Sequence, residues 1–323
     1  MGDLAGTSTR HRSSADGISI SGPNWPHRHL LDVDQLTRAE LERCLDLAVE
    51  MRERRSRHER LDVLRDEVVG LAFCEPSTRT RVSFELAATA LGAQVVDLRI
   101  EASSVTKGES LVDTLRTLER TGITTIVLRH PMSGAPYLAA RSCAARIVNA
   151  GDGSHAHPTQ ALLDALTLRE ALGPLEGKKI AIVGDIGHSR VARSNMHALT
   201  ALGASVWLAG PPAWVEGFEG WPGVTVADRL EDALADADAV MALRVQLERG
   251  AGDISVREFT TAWGLDESRM QLARPGAPLL HPGPTNEGVE ITAELASSER
   301  SLIGTQVANG VPIRMAVLSL LAR

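Results

Sequence analysis

From residue 67 onward, short apolar runs of strand length alternate with longer segments of helical periodicity. In the first half of the chain, strands are predicted at 68–74, 94–98 and 124–128, and helices at 81–91, 110–121 and 136–143. Strands that alternate with helices are typical of parallel sheets covered by helices on both faces. The pattern therefore predicts an α/β fold.

A second series of the same kind follows residue 157. Its helices are predicted at 158–172, 191–202 and 232–236, and its strands at 179–183, 205–208, 239–243 and 278–280. A chain of 323 residues with 43% hydrophobic content can form two cores of this size. We predict two lobes, each a mainly parallel sheet flanked by helices.

The ends of the chain differ from the two lobes. Residues 1–27 are rich in Gly, Ser and Arg and lack a hydrophobic period, so we interpret them as a flexible tail. The lobes are predicted at 28–157 and 158–301. A final helix is predicted at 306–321, and we expect the segment 302–323 to return and pack on the first lobe.

The charge balance and the cysteines exclude several classes of protein. A net charge of −7 does not favour nucleic-acid binding, which needs a basic face. Cys44, Cys74 and Cys143 lie far apart without a C-x-x-C pair, so we expect buried thiols rather than disulfides or a zinc site. No apolar run approaches the ~20 residues that cross a bilayer, and the N-terminus lacks a signal-peptide core. We therefore expect a cytoplasmic enzyme without membrane or nucleic-acid partners.

The segment Ser77-Thr78-Arg79-Thr80-Arg81 lies between a predicted buried strand and a predicted helix. A helix start offers unpaired N–H groups and a partial positive charge. Three hydroxyls and two guanidiniums add further donors for phosphate oxygens. One Ser or Thr is enough to cap a helix, so five consecutive polar residues indicate anion binding. The Walker pattern is absent, so a nucleotide is not implied.

Further polar residues follow other predicted strands. Arg129 follows 126–128, Arg190 opens the helix after 179–183, and Arg244 and Gln246 follow 239–243. Ligands of open α/β sheets bind at the carboxyl ends of the strands. Arg129 is thus a candidate for the same phosphate or for a carbonyl oxygen, and Arg190 for a carboxylate. Each of these residues taken alone is more often a surface residue.

His157 directly precedes Pro158, which suits the first turn of a helix. A neutral imidazole there can donate to a carbonyl oxygen. His155 and His157 also suggest a metal pair, but a third ligand is not evident, so the polarising donor is favoured and no metal is predicted. Glycines on both sides of Asp152 predict a tight turn before this segment.

The segment 184–190, Gly-Asp-Ile-Gly-His-Ser-Arg, raises a dinucleotide-binding alternative. Its spacing is not G-x-G-x-x-G, and the next strand ends at Ala209-Gly210 without an acidic residue for a ribose. A nicotinamide enzyme is the weaker hypothesis, and no cofactor is predicted. His281-Pro282-Gly283-Pro284 follows another strand and is typical of a rigid turn.

Taken in order, these segments resemble the aspartate/ornithine carbamoyltransferase family over roughly residues 28–323. The motifs that carry the resemblance are S-T-R-T-R at 77–81, K-G-E-S at 107–110, R-H-P at 129–131, H-P-T-Q at 157–160, D-I-G-H-S-R at 185–190, R-V-Q at 244–246 and H-P-G-P at 281–284. The ornithine branch carries an acidic residue, an S-M-G motif and an H-C-L-P cysteine in its second lobe. Two arginines and a glutamine stand here instead and suit a dicarboxylate, so the resemblance is to the aspartate branch.

The resemblance implies transfer of the carbamoyl group of carbamoyl phosphate to the amino group of L-aspartate, which yields N-carbamoyl-L-aspartate and phosphate for pyrimidine biosynthesis. Two alternatives stay open. One is a carbamoyltransferase for another amino acid such as ornithine, and the other is a non-catalytic module that binds phosphate or a dicarboxylate.

The resemblance also implies roles for individual residues. The implied phosphate ligands are Ser77, Thr78, Arg79, Thr80 and Arg129. The implied donors to the carbonyl oxygen are Thr80, Arg129 and His157, and Gln160 is expected at the carbamoyl amine. The residues expected around the amino-acid substrate are Arg190, Arg244, Gln246, Gly283 and Pro284.

Ser103 and Lys107 match a family loop that enters the site of a neighbouring subunit. A homotrimer with shared active sites is therefore expected, while association with a dihydroorotase-like or regulatory chain stays open. Three positions near the expected amino-acid site, Gly187, His188 and Gly283, depart from the residues of some relatives.

Overall fold

The computed structural model describes residues 25–98, 110–246 and 254–322. The elements of the first lobe, in chain order, are α1 (Arg38–Ser56), β1 (Val68–Phe73), α2 (Thr78–Ala90), β2 (Gln94–Leu98), α3 (Leu111–Arg120), β3 (Thr125–His130), α4 (Ala135–Ser142) and β4 (Arg146–Asp152).

The second lobe begins with a long helix and ends with another. Its elements are α5 (Pro158–Leu172), β5 (Lys179–Val183), α6 (Arg190–Ala201), β6 (Ser205–Ala209), α7 (Pro212–Val215), β7 (Val224–Val226), α8 (Leu230–Leu234), β8 (Ala239–Ala242), α9 (Val256–Trp263), α10 (Glu267–Met270), β9 (Leu279–Leu280), α11 (Ala293–Ala296) and α12 (Ile303–Leu321).

Both sheets are parallel throughout, which confirms the predicted fold class. The strand order is β2-β1-β3-β4 in the first sheet and β7-β6-β5-β8-β9 in the second. In each sheet the order in which strands are added reverses at one point. This point lies between β1 and β3 in the first sheet and between β5 and β8 in the second. Such switch points leave a crevice at the carboxyl ends of the strands, where ligands of this architecture bind.

The last helix packs on the first lobe, as expected. Helix α12 contacts α1 and α2 and also lies against α5. One apolar core runs through these helices into both sheets, as shown by fully or almost fully buried Leu41, Leu71, Leu166, Ile182 and Leu320. The helices α5 and α12 therefore connect the two sheets through a shared core. The domain boundaries given above stay a prediction.

Several predicted boundaries are wrong by a few residues. Helix α2 begins at Thr78, three residues before the predicted start at 81, because polar side chains suit a first helical turn. The tight turn expected around Asp152 begins only at Gly153, since residues 146–152 form strand β4. This strand escaped prediction because Asn149 and Gly151 have low strand propensity, although tertiary pairing with β3 overrides it.

Of the predicted tail, only residues 25–27 are described. Trp25 packs against the core, and Nε2 of His27 lies 3.0 Å from Oε1 of Glu40. Cys44, Cys74 and Cys143 are thiols, but only Cys44 is buried, so the expected burial is wrong for the half-buried Cys74 and Cys143. Among the described residues, no helix has the length and apolar character that a membrane span requires.

Candidate active site

Helix α2 follows strand β1 after four residues, and its first turn carries the predicted anion-binding side chains. The hydroxyls of Ser110 and Ser189 each accept from a backbone N–H group in the next turn and so cap α3 and α6. The N-cap residue of α2, Ser77, makes no such bond. Capping therefore does not occupy the Ser77 hydroxyl, and this hydroxyl and the first N–H groups of α2 can face an anion.

The two arginines of this turn have different partners. Arg79 is exposed, and its guanidinium lies so close to Gly283 of the second lobe that a Cβ there would stand 2.9 Å from Cζ of Arg79. Nη1 of Arg81 instead pairs with Oδ2 of Asp97 on β2 at 2.5 Å. The expected convergence of both guanidiniums is wrong for Arg81, because residues two apart point about 200° away from each other around a helix.

Thr80 lies in the first turn of α2, and Arg129 lies near the carboxyl end of β3. Arg129 pairs in register with Phe73, the last residue of β1, and its Nη1 donates to the carbonyl oxygen of Ala150 at 3.3 Å. Thr80 is only 6% exposed. The predicted phosphate turn and the predicted second arginine thus share the β1–β3 switch point.

Glu75, two residues after β1, bridges two arginines from different lobes. Its Oε2 lies 3.1 Å from Nη1 of Arg190 and 3.5 Å from Nε of Arg129. Gly151, with φ of 114°, lies between the two guanidiniums, since a Cβ there would stand 3.1 Å from Arg190 and 3.3 Å from Arg129. The glycine lets the two cations approach, and Glu75 offsets their repulsion.

His157 is the N-cap residue of α5 and is 4% exposed. Burial, followed by the charges of Arg129, Arg190 and Arg314, holds the pKa of His157 well below its usual range. The ring is therefore neutral at pH 7, which is the protonation state that the predicted donor role requires. Its buried Nδ1 has no hydrogen-bond partner among the described residues. A ligand atom there would relieve a cost of ~1–3 kcal/mol.

Gln160 lies in the first turn of α5, and its Nε2 donates to Oδ1 of Asp164 at 2.9 Å. Burial raises the pKa of Asp164 to about 6, while hydrogen bonds and the charge of Arg314 limit that rise. Burial also lowers the pKa of Arg314 to about 9, which leaves a cation at pH 7 behind the site. The Arg314 guanidinium lies 4.9 Å above the ring of Phe84.

The segments 185–190 and 244–246 are joined at the ends of β5 and β8. The backbone N–H of Gln246 donates to Oδ2 of Asp185 at 3.1 Å, and its Nε2 donates to the carbonyl oxygen of His188 at 2.9 Å. Nδ1 of His188 lies 2.7 Å from Oδ1 of Asp185. Arg244, beside Gln246, is half-buried. Arg190, Arg244 and Gln246 thus follow the two strands of the β5–β8 switch point, whereas Gly283 and Pro284 follow β9.

The turn at 281–284 is held by its own histidine. Nδ1 of the buried His281 accepts from the N–H of Gly283 at 2.8 Å, and Nε2 lies 3.2 Å from Oε1 of Glu290. Because Nδ1 accepts, the ring proton lies on Nε2, which donates to the carboxylate. Gly283 has φ of 63° and is joined to Pro284 by a cis bond. The two hydrogen bonds of His281 hold the backbone that approaches Arg79.

His155 belongs to a different cluster from His157. Its Nδ1 lies 3.1 Å from Oδ2 of Asp152, and its Nε2 lies 3.9 Å from Oδ2 of the buried Asp32. Within ranges 25–98, 110–246 and 254–322, no group of three or more His, Cys, Asp or Glu side chains is arranged to hold a metal ion. The imidazole rings of His155 and His157 therefore have different neighbours, although the backbone N–H of His157 is linked to Asp32 through Ser194.

The predicted residues divide into two groups. Those in the described part of the chain occupy the carboxyl edges of the two sheets, and they are Ser77, Thr78, Arg79, Thr80, Arg129, His157, Gln160, Arg190, Arg244, Gln246, Gly283 and Pro284. Ser103 and Lys107 lie outside the described residues.

Four residues of the site escaped sequence analysis as functional candidates. The signal at Glu75 was an acidic residue directly before a segment rich in cations. The signal at Gly151 was a glycine within an otherwise apolar run. Asp164 and Arg314 each interrupt an apolar helix. A charge in such a helix is seldom buried without a partner, so both positions carried a detectable signal.

Two sequence profiles of one family match this chain in succession. Residues 28–170 match the carbamoyl-P binding domain of aspartate/ornithine carbamoyltransferase, and residues 176–321 match its Asp/Orn binding domain. Among similar proteins, the aspartate carbamoyltransferase catalytic subunit of Thermus aquaticus is 52% identical over 90% of this chain and 97% of the relative. That of Gluconacetobacter diazotrophicus is 51% identical over 95% and 98%.

Solved structures from both branches of this family are similar to the fold. Aspartate transcarbamoylase of Trypanosoma cruzi, in complex with carbamoyl phosphate and aspartate, has a TM-score of 0.80 at 30% identity, over 90% of this chain and 94% of that one. Ornithine carbamoyltransferase of Pyrococcus furiosus has a TM-score of 0.81 at 27% identity, over 91% and 96%. Backbone similarity alone therefore does not separate the branches, whereas side chains and sequence identity favour the aspartate branch.

Proposed function

The chain belongs to the aspartate/ornithine carbamoyltransferase family, and we propose that it transfers the carbamoyl group of carbamoyl phosphate to L-aspartate. The observation that carries this proposal is the cluster of Arg129 and Arg190 around Gly151 and Glu75, next to the neutral ring of His157. One edge of this cluster suits a phosphate beside a carbonyl group, and the other suits a carboxylate.

Carbamoyl phosphate would occupy the first edge. The phosphate oxygens would accept from the start of α2 and from the side chains of Ser77, Thr78, Arg79, Thr80 and Arg129. The carbonyl oxygen would accept from Thr80, Arg129 and His157. A neutral imidazole can donate without adding a charge that repels the arginines, which is why the lowered pKa of His157 suits this role.

L-Aspartate would occupy the second edge. Its two carboxylates would pair with Arg190 and Arg244, with Gln246 as a further donor and the backbone at Gly283 and Pro284 closing the site. Arg190 would then exchange or share its bond with Glu75. Two guanidiniums at this edge favour a dicarboxylate over ornithine, whose side chain is itself a cation.

In the chemical step, the aspartate amine attacks the carbonyl carbon and forms the new C–N bond. The C–O bond to the phosphate then breaks, and the departing phosphate takes up the amine proton. Positioning two substrates can supply ~7–11 kcal/mol. Loss of one donor to the developing oxyanion typically costs ~3–4 kcal/mol. The residues proposed here act by positioning and by fixed charge, without a covalent intermediate.

A substrate panel tests the proposal. Carbamoyl phosphate is combined with aspartate, ornithine, N-acetylornithine or putrescine, and phosphate release and the carbamoylated product are measured. We expect turnover with aspartate. Turnover with ornithine alone would contradict the aspartate assignment. An absence of turnover with tight binding of a phosphonoacetyl-aspartate bisubstrate analogue would favour the non-catalytic module instead.

We also propose a homotrimer in which Ser103 and Lys107 complete the site of a neighbouring subunit. The support is the motif match at 103–110, which lies mostly outside the described residues. Inactive Arg79→Ala and inactive Lys107→Ala chains are mixed after dissociation and reassembled. Partial recovery of activity is expected, because some sites in mixed trimers combine two intact halves. Mixed trimers without activity would contradict the sharing of sites.

Two further expectations remain proposals. A role in pyrimidine biosynthesis in the cytoplasm is supported by the names of the relatives and by the three thiols. Cell fractionation with an antibody tests the location. Co-purification of the tagged chain tests whether a dihydroorotase-like or regulatory chain joins the trimer.

A further inference from the structure

A single buried carboxylate collects amide groups from three helices next to the site. Oδ1 of Asp164 on α5 accepts from Nε2 of Gln160 at 2.9 Å and from Nε2 of Gln306 on α12 at 2.7 Å. Oδ2 accepts from Nδ2 of Asn195 on α6 at 2.8 Å. Asp164 has no exposed surface, so water does not replace these bonds.

The carboxylate decides which way each amide points. An ionised carboxylate only accepts hydrogen bonds, so its partners must present nitrogen rather than oxygen. Asp164 is mostly ionised at pH 8, because burial raises its pKa only to about 6. The Gln160 amide therefore turns its Oε1 away from Asp164. Among the described residues, no group donates to that oxygen.

We propose that Asp164 is a positioning residue that holds the Gln160 amide with Oε1 toward the substrate, so that the site selects a carbamoyl group over an acetyl group. This inference rests on the proposed function, in which Gln160 meets the –NH2 of carbamoyl phosphate. Oε1 accepts from that –NH2 group. A reversed amide would set one –NH2 against another, and a methyl group has no donor to offer.

Through Gln306, Asp164 is also connected to the turn at 281–284. Oε1 of Gln306 accepts from the backbone N–H of His281 at 2.9 Å. The same oxygen of Asp164 thus orients Gln160 and anchors the turn that carries Gly283. Arg314, also on α12, supplies the positive charge that acts on this carboxylate.

Ligand discrimination tests the proposal. Dissociation constants are measured calorimetrically at low temperature and pH 8 for carbamoyl phosphate, acetyl phosphate and inorganic phosphate. In Asp164→Leu, which is nearly isosteric but cannot accept, we expect the preference for carbamoyl over acetyl phosphate to fall about tenfold, as loss of one oriented hydrogen bond implies. Affinity for inorganic phosphate is expected to stay within about twofold.

The conservative variant should rescue the preference. In Asp164→Asn, the remaining oxygen can still accept from Gln160, while the Asn195 amide turns over to meet the new –NH2 group. The Oδ1 of Asn195 is buried without a partner among the described residues, so it can accept this bond. We expect a preference within about threefold of the wild-type value. Asp164→Ala replaces the leucine variant if that variant does not fold.

Two controls separate orientation from general damage. Thr167→Val removes a different buried polar group of α5, a hydroxyl that accepts from Asn309 of α12, and should lower stability without changing ligand preference. In a Gln160→Ala background, the Asp164→Leu change should have no further effect on the preference.

Two results would overturn the proposal. One is an unchanged carbamoyl preference in a folded leucine or alanine variant, and the other is an equal loss of affinity for all three ligands. A wild-type protein that does not prefer carbamoyl phosphate would instead point to a failure of the proposed function.

Discussion

The carboxyl edges of the two sheets both carry arginines, but the polar side chains at the two edges differ in how many partners they have within the protein. At the first edge, the Ser77 hydroxyl does not cap its helix, and Arg79 is exposed without an ion pair to any described residue. At the second edge, Arg190 bonds Glu75 and the carbonyl oxygen of Gly153, and Gln246 bonds His188.

This difference teaches how one fold builds two kinds of ligand site. A contiguous turn at a helix start needs little tertiary support, because its donors already point away from the helix. Side chains gathered from separate strands need internal partners to hold them in place, and a ligand must then compete with those partners. We therefore expect substitutions at the first edge to affect the chemical step and those at the second edge to affect the binding of the second substrate.

The largest expected effect is at the first edge. Arg79→Ala should reduce kcat/KM for carbamoyl transfer about 10²–10³-fold, the range typical of a lost charge-stabilising donor. Arg81→Ala is the matched control, because it lies in the same helical turn but pairs with Asp97 at the surface. Its kcat/KM should change less than about threefold. Equal losses in the two variants, measured by steady-state phosphate release, would contradict the division of roles between them.

The second edge can be tested through Glu75, which follows β1 but bonds Arg190 of that edge at 3.1 Å. Glu75→Gln should raise the KM for aspartate about tenfold, because Arg190 loses a charged partner that holds it in position and is worth ~1.5–3 kcal/mol. The dissociation constant of carbamoyl phosphate, measured by calorimetry, should change much less. Glu59→Gln, an exposed ion-paired glutamate outside both edges, serves as the control. A larger effect on carbamoyl phosphate than on aspartate would break the proposed contrast.

The contact between the two edges can be tested at Gly283. In Gly283→Ala the new methyl group would collide with Arg79, so we expect kcat/KM to fall about tenfold. We also expect the free energy of unfolding to fall by ~1 kcal/mol, because alanine is disfavoured at a positive φ. Gly276→Ala is the matched control, since Gly276 has φ of 77° and nothing within 4 Å of an added Cβ. It should share the stability loss, measured by urea unfolding, and keep the activity.

The smallest effect concerns pH. The pKa of His157 is lowered in the folded state, so below about pH 6.5 the unfolded chain binds more protons than the folded one. The neutral ring therefore contributes its full share of the free energy of unfolding above that pH, and this share is lost as pH falls below it. We expect the free energy of unfolding to fall by about 1 kcal/mol more between pH 7.5 and 5.5 in the wild type than in His157→Asn.

Asp32 and Asp164 oppose this trend in both proteins, because burial raises the pKa of each to about 6. Their contribution to the free energy of unfolding is lost as pH rises toward the folded pKa. It is the same in the wild type and in His157→Asn, so it cancels when the two proteins are compared. Exposed His58→Asn is the control. Identical pH slopes for His157→Asn and the wild type would show that the ring is not held neutral.

Much of the fold could be predicted because its signals are local. The strands at 68–73, 94–98 and 179–183 are short apolar runs, and the helices α5 and α12 have long apolar patterns that few other structures satisfy. Strand β4 could not be found this way, because Asn149 and Gly151 make it look like a turn. Its extended backbone is stabilised by pairing with β3, which is a contact between distant parts of the chain.

The sequence by itself determined the parallel α/β class, the polar helix start after Ser77 and the family resemblance, because each depends on short stretches of neighbouring residues. Only the tertiary structure decided that Arg81 pairs with Asp97, that Glu75 joins arginines of both lobes, and that Asp164 accepts a hydrogen bond from Gln160. These facts depend on the direction of side chains and on atoms brought within about 3 Å from separate elements. Spacing along the chain does not give these distances, because they arise only when the core packs the sheets and helices together.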